Sequence, residues 1–138
     1  MPVSADLLRL VPLFAGMSDR SFASIAEVAS EVDFAAGDDL VRQGEPGNAF
    51  YIIVSGRARV DRDGTTLREL GPGDFLGEIA LIDGSSRTAT VTALEPIGAV
   101  TVKRDDFAGL FDRLPVFRLE VLNALTQRIR ATGGAPLG

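Results

Sequence analysis

Glu78 and Arg87 are the two side chains of this sequence whose types and spacing suggest joint chemistry. They lie within the run Gly77-Glu78-Ile79-Ala80-Leu81-Ile82-Asp83-Gly84-Ser85-Ser86-Arg87-Thr88-Ala89, which follows neither a helical nor a strand period. An arginine presents a planar, permanently charged fork that matches phosphate oxygens. A glutamate only accepts hydrogen bonds, so it suits a sugar hydroxyl and repels phosphate. Gly77 allows backbone to approach a ligand closely, and Glu78-Ile79-Ala80-Leu81 can form one helical turn. The unsatisfied N–H groups at the start of such a turn favour an anion. A ligand with one anionic group beside a hydroxyl or diol fits this pair, and a simple inorganic anion does not. The competing reading is an exposed Glu78–Arg87 ion pair, which contributes little energy.

What the chain lacks narrows the chemistry further. It has no cysteine and no histidine. Disulfides, thiolate or imidazole metal sites, cysteine nucleophiles and histidine-based triads are therefore excluded. Gly84-Ser85-Ser86 has no histidine to serve as base for a serine nucleophile. Asp61-Arg62-Asp63-Gly64 begins like a calcium loop but lacks the third ligand and the terminal glutamate, so it reads as a hairpin turn. The expectation is a binding protein and not an enzyme, with no metal and no cofactor. Fourteen Lys and Arg against 19 Asp and Glu, without a long run of either sign, argue against a nucleic-acid-coating domain or a polybasic membrane adaptor. Leu7 to Phe14 is interrupted by Arg9 and Pro12, is too short to cross a bilayer, and lacks the basic flank of a secretory signal. These features lead to the expectation of a cytoplasmic protein.

The elements that must hold Glu78 and Arg87 fall into three stretches. With 138 residues, 46% apolar and 24% charged, the chain has the size and composition of one globular domain, assigned to 1–132 with a flexible tail over 133–138. Residues 1–30 read as helical, with Ser4 and Ser18 as N-caps and Phe22, Ile25, Ala26 and Ala29 on one stripe. From about 31 to 103 the period becomes two, as expected of a barrel. Phe50 to Val54 reads as a buried strand, and Arg57-Ala58-Arg59-Val60 leads to a tight turn at Asp63-Gly64. Thr65–Leu70, Thr88–Leu94 and Ile97–Lys103 supply further strands. Residues 104–131 return to helix, with Phe107, Leu110 and Phe111 inward in the first. Pro115 opens the second, whose apolar positions include Leu122, Leu125 and Ile129. Phe14, Phe22, Phe50, Phe107 and Phe117 are expected in the core, and Arg128 and Arg130 on a solvated face.

Glu78 and Arg87 together with their neighbours resemble the phosphate-binding cassette of the cyclic nucleotide-binding domain family. The match is Gly77-Glu78-x-Ala80-Leu81 followed at fixed distance by Arg87-Thr88-Ala89-x-Val91. Gly37, Gly44-Glu45, Gly47, the Phe50–Val54 strand ending at Gly56, and Gly71-x-Gly73-Asp74-Phe75 extend it over most of the chain. The resemblance implies a mainly β fold, a jelly-roll-like eight-stranded barrel (double-stranded β-helix) with N-terminal and C-terminal helices. It further implies that Glu78 accepts from a ribose 2′-hydroxyl and that Arg87 pairs with the exocyclic phosphate. The N–H groups of Ile79 and Ala80 would meet the same phosphate, Ala80 and Ala89 would keep the wall small, and Thr88 would add a hydroxyl. Ser86 departs from the proline many members carry before the arginine.

The expected function is a regulatory sensor of a 3′,5′-cyclic nucleotide, whose C-terminal helices act as a moving lid. Cyclic AMP is favoured, while Thr88 keeps cyclic GMP open. A larger transcription regulator, channel, transporter or enzyme that uses this domain to sense its ligand is the first alternative. The second is a degenerate barrel serving only as an interaction module. These 138 residues alone are expected to contact no nucleic acid and to carry no membrane segment. The C-terminal helices are the surface for a homodimer or a partner domain.

Overall fold

The computed structural model describes Leu8, Phe14, residues 17–76, Arg87 and residues 89–131, the last without the side chains of 124, 125 and 127–131. Helix α1 (Asp19–Val28) starts at Ser18, whose hydroxyl accepts from the Ser21 N–H as an N-cap should. Strand β1 (Ala29–Phe34) takes over at once, two residues ahead of the period change read from the sequence. Then come β2 (Asp39–Val41), β3 (Ala49–Ser55), β4 (Ala58–Arg62), β5 (Thr65–Leu70), β6 (Phe75–Leu76), β7 (Thr90–Ala93) and β8 (Ile97–Lys103). Helices α2 (Arg104–Arg113) and α3 (Pro115–Ala131) close the order.

The strands form two four-stranded antiparallel sheets, β1-β8-β3-β6 and β2-β7-β4-β5. Asp63 and Gly64 both have positive φ, 51° and 80°, which is the requirement of the two-residue β4–β5 hairpin. Gly56 answers a different need. At φ 88°, a Cβ there would stand 2.3 Å from the Pro96 carbonyl oxygen, beside the register shift where β3 leaves β8.

Two cores share the first sheet, because alternate residues of a strand face opposite sides. Phe50 and Ile52 of β3, with Val100 and Val102 of β8, pack against the helices. Ile53 of β3, with Ile97 and Ala99 of β8, packs between the sheets against Val60, Leu76 and Val91. Covered on both faces, β3 reads as a nearly continuous apolar run. On the helix side Phe50 is an aromatic hub, with ring centroids 5.1 Å from Phe107, 5.5 Å from Phe75 and 6.4 Å from Phe117. All five phenylalanines assigned to the core are buried.

Helix α3 keeps Phe117 inward as expected but not Leu122. Phe117 and Val121 are buried, whereas Leu122 is 40% exposed. The contacts with Phe14, Phe50 and Phe107 set its rotation about its own axis. Leu125 and Ile129 lie outside the described side chains. Strand β7 is also shorter than the expected Thr88–Leu94.

Candidate functional site

Of the residues assigned to the site, Arg87 and Ala89 are described; Gly77, Glu78, Ile79, Ala80 and Thr88 lie outside the described residues. The β2–β3 connection, residues 42–48, wraps around Arg87. Its turn cluster, Gly44-Glu45-Pro46-Gly47-Asn48, bends the backbone so that it meets a segment about 40 residues away in sequence. The Arg87 N–H donates to the Glu45 carbonyl at 2.8 Å, and the Arg87 carbonyl accepts from the Gly44 N–H at 3.0 Å. Close by, the Gln43 N–H donates to Thr90 Oγ1 at 2.9 Å, while the Gln43 amide both donates to and accepts from Asp63 at the hairpin tip.

The side chain of Arg87 is enclosed as firmly as its backbone. It is 4% exposed, and among the described residues it is the one buried side chain that is charged. Nη2 donates to the Ala49 carbonyl at 2.5 Å, across 38 positions of sequence. A guanidinium removed from water must be compensated by hydrogen bonds or opposite charge, so this contact is part of what permits its burial. Arg87 is therefore not an exposed side chain, and Glu78, its partner in the competing ion-pair reading, lies outside the described residues. Ala89, two positions on, is fully buried in the core between the sheets.

Sequence reasoning missed Ala49 and Asn48. A backbone carbonyl has no residue-type signature, so the dense turn ahead of β3 was the available signal. Both residues line an open groove of about 710 Å³ at the end of the β3–β8 pair, with Tyr51, Thr101, Lys103, Arg104, Asp105 and Asp106. Asp39 and Asp61 stand on the outer face of the second sheet. The Thr92 hydroxyl and then Arg42 hold the Asp39 carboxyl below its ordinary value, and Thr66 and then Arg59 do the same for Asp61. Among the described residues, no cluster of three or more Asp or Glu could hold a metal ion. No helix among them is long and apolar enough to cross a membrane.

The sequence model of the "Cyclic nucleotide-binding domain" family matches residues 31–114, from β1 to the end of α2. The chain belongs to that family. The "CRP-like cAMP-activated global transcriptional regulator" of Mycobacterium tuberculosis is 30% identical over 132 residues, 92% of this chain and 59% of that protein. The "cGMP-dependent protein kinase, isozyme 1" of Drosophila melanogaster is 39% identical over 119 residues, 80% of this chain and 16% of that protein. Among solved structures, the Thermus thermophilus catabolite activator protein superposes with a TM-score of 0.77 at 30% identity, covering 87% of this chain and 59% of that one. The cyclic nucleotide-binding domain here thus spans less than two thirds of each of these proteins. Its two antiparallel sheets with helices at both ends are the barrel expected from the sequence.

Proposed function

We propose that this domain is a regulatory sensor that binds a 3′,5′-cyclic nucleotide, cyclic AMP in preference to cyclic GMP. The single observation that carries the reading is the buried guanidinium of Arg87, fixed at the Ala49 carbonyl and flanked by a loop that holds its backbone on both sides. A fixed, desolvated cation suits a cyclic phosphate monoanion, since the attraction is stronger away from water and the fork is already oriented. In this reading Arg87 takes the phosphate, assisted by the N–H groups of Ile79 and Ala80, and Glu78 accepts from the ribose 2′-hydroxyl. Gly77 allows the close approach, Thr88 adds a hydroxyl, and Ala89 keeps the adjoining wall small. Support for cyclic AMP comes from the Mycobacterium tuberculosis relative, named for activation by it and aligned with 92% of the chain.

The lid is the pair α2 and α3. Both rest on Phe50, one residue beyond the carbonyl that holds Arg87, so the ligand site and the helices share a strand end. A ligand can shift the helices only through contacts that differ between their positions. Isothermal titration with cyclic AMP, cyclic GMP and 5′-AMP tests the binding claim. Cyclic AMP is expected to bind tightest and 5′-AMP far more weakly, because the linear phosphate carries more charge against Glu78. Equal affinity for cyclic and linear phosphates would overturn it. The melting temperature should also rise with cyclic nucleotide, since only the folded domain binds.

A further inference from the structure

Two neighbouring carbonyls at the start of β3 are engaged by groups of different function. The Ala49 carbonyl accepts from Arg87 Nη2 at 2.5 Å. The Asn48 carbonyl accepts from the backbone N–H of Arg104 at 2.9 Å, and Arg104 is the first residue of α2. The two carbonyls belong to successive rigid peptide planes hinged at the Ala49 Cα, so a displacement of that atom moves both acceptors. The next residue, Phe50, stacks on Phe107 of the same helix. Asn48, Ala49, Lys103 and Arg104 also line the open groove at this corner.

We propose that the Asn48–Ala49 dipeptide positions Arg87 and transmits the state of the ligand site to the first turn of α2. The inference rests on the cyclic-nucleotide reading of Arg87 and adds to it the route by which occupancy reaches the lid. A phosphate drawn to the guanidinium changes its bond to the Ala49 carbonyl, and the Asn48–Arg104 bond carries that change into the helix. The link is therefore a pair of main-chain acceptors, reached from one side by a side chain and from the other by a helix N-terminus.

Arg104→Pro separates this bond from everything else at the corner. Proline is tolerated at the first helical position, where the N–H has no partner within the helix. Lys103 already has φ −66° and ψ 156°, the conformation favoured before a proline. Arg104→Ala removes the side chain and keeps the N–H. Hydrogen exchange across α2 and α3 should change with saturating cyclic AMP in the parent and in Arg104→Ala. In Arg104→Pro, nucleotide should still bind but the exchange response of the helices should be lost. A full response in Arg104→Pro would overturn the link, as would equal loss in both variants. A ligand-free measurement judges the link separately: Arg87→Met should speed exchange of the Arg104 amide about fivefold more than it speeds that of Thr65–Leu70, which reports any general loss of stability. An Arg104 amide sped no more than Thr65–Leu70 overturns the link. If the parent binds neither nucleotide, the functional reading fails while this amide still decides the coupling. Should Arg104→Pro not fold, the Arg87→Met comparison alone decides.

Discussion

The two sheets of this barrel have four strands each and opposite surroundings. In the β1-β8-β3-β6 sheet, β3 and β8 are covered on both faces, by the helices on one side and by the second sheet on the other. In the β2-β7-β4-β5 sheet, the outer face is wet and lined with ion pairs, Arg59–Asp61 at 2.8 Å and Arg42–Asp39 at 3.0 Å, joined by hydroxyls of Thr66 and Thr92. The difference is also one of arginines. Arg59 and Arg42 meet carboxylates in solvent, where pairs contribute little, whereas Arg87 is buried against a main-chain carbonyl. Charge is exposed and paired with carboxylates on the second sheet, and buried where the β3 end meets the loop. Strand β3 of the first sheet touches both Arg87, through the Ala49 carbonyl, and helices α2 and α3, through Phe50.

The comparison is broken most directly at Phe50. Phe50→Ala removes the hub between sheet and helices and should cost about 3–5 kcal/mol of folding stability, read from urea unfolding. Leu67→Ala on the exposed β5 edge should change it by no more than about 0.5 kcal/mol. Similar costs for the two would show that the sheets do not differ as described.

Arg87→Ala is the next largest. Losing one member of a desolvated charge pair should weaken cyclic nucleotide binding by about 2–5 kcal/mol, roughly 30- to several-thousand-fold, measured by titration. Arg87→Lys should recover part of this, because an ammonium cannot reproduce the fork. Glu78→Ala should cost less than Arg87→Ala. Burial adds a second expectation that the sequence did not provide: the unfolding free energy of Arg87→Ala, read from urea unfolding, should also fall, by about 1–3 kcal/mol for a buried carbonyl left without its donor. Parent-like binding by folded Arg87→Ala would place the phosphate elsewhere.

The smallest effect belongs to the wet face. Asp39 and Asp61 titrate below the ordinary aspartate value of 3.8 in the folded chain, chiefly through Thr92 and Thr66. A depressed folded pKa contributes stability that is present above the unfolded value and lost as pH falls through the folded one. Melting temperature should therefore decline below about pH 4. Asp39→Asn should lower it by no more than about 2–4 °C at neutral pH and flatten the acid limb. A larger loss than that of Arg87→Ala would reverse the ranking of the two faces.

Local chemistry determined much of this protein. The Asp63-Gly64 turn placed β4 and β5 because those residues accept positive φ, and Thr65–Leu70 and Ile97–Lys103 are strands at the bounds the alternation sets. Ser18 and Pro115 marked helix starts because capping and a fixed φ are properties of single residues. The residue types of the cassette and its spacing were enough to name the family. Tertiary structure decided where those residues stand. Leu122 faces solvent and Val121 the core because three aromatic rings distant in sequence set the rotation of α3, which a helical period alone leaves open. The burial of Arg87, and its hold on a carbonyl 38 positions away, likewise depends on the β2–β3 loop folding over it. A main-chain acceptor is identical at every residue, so only the path of the chain in space could reveal which one would hold the arginine.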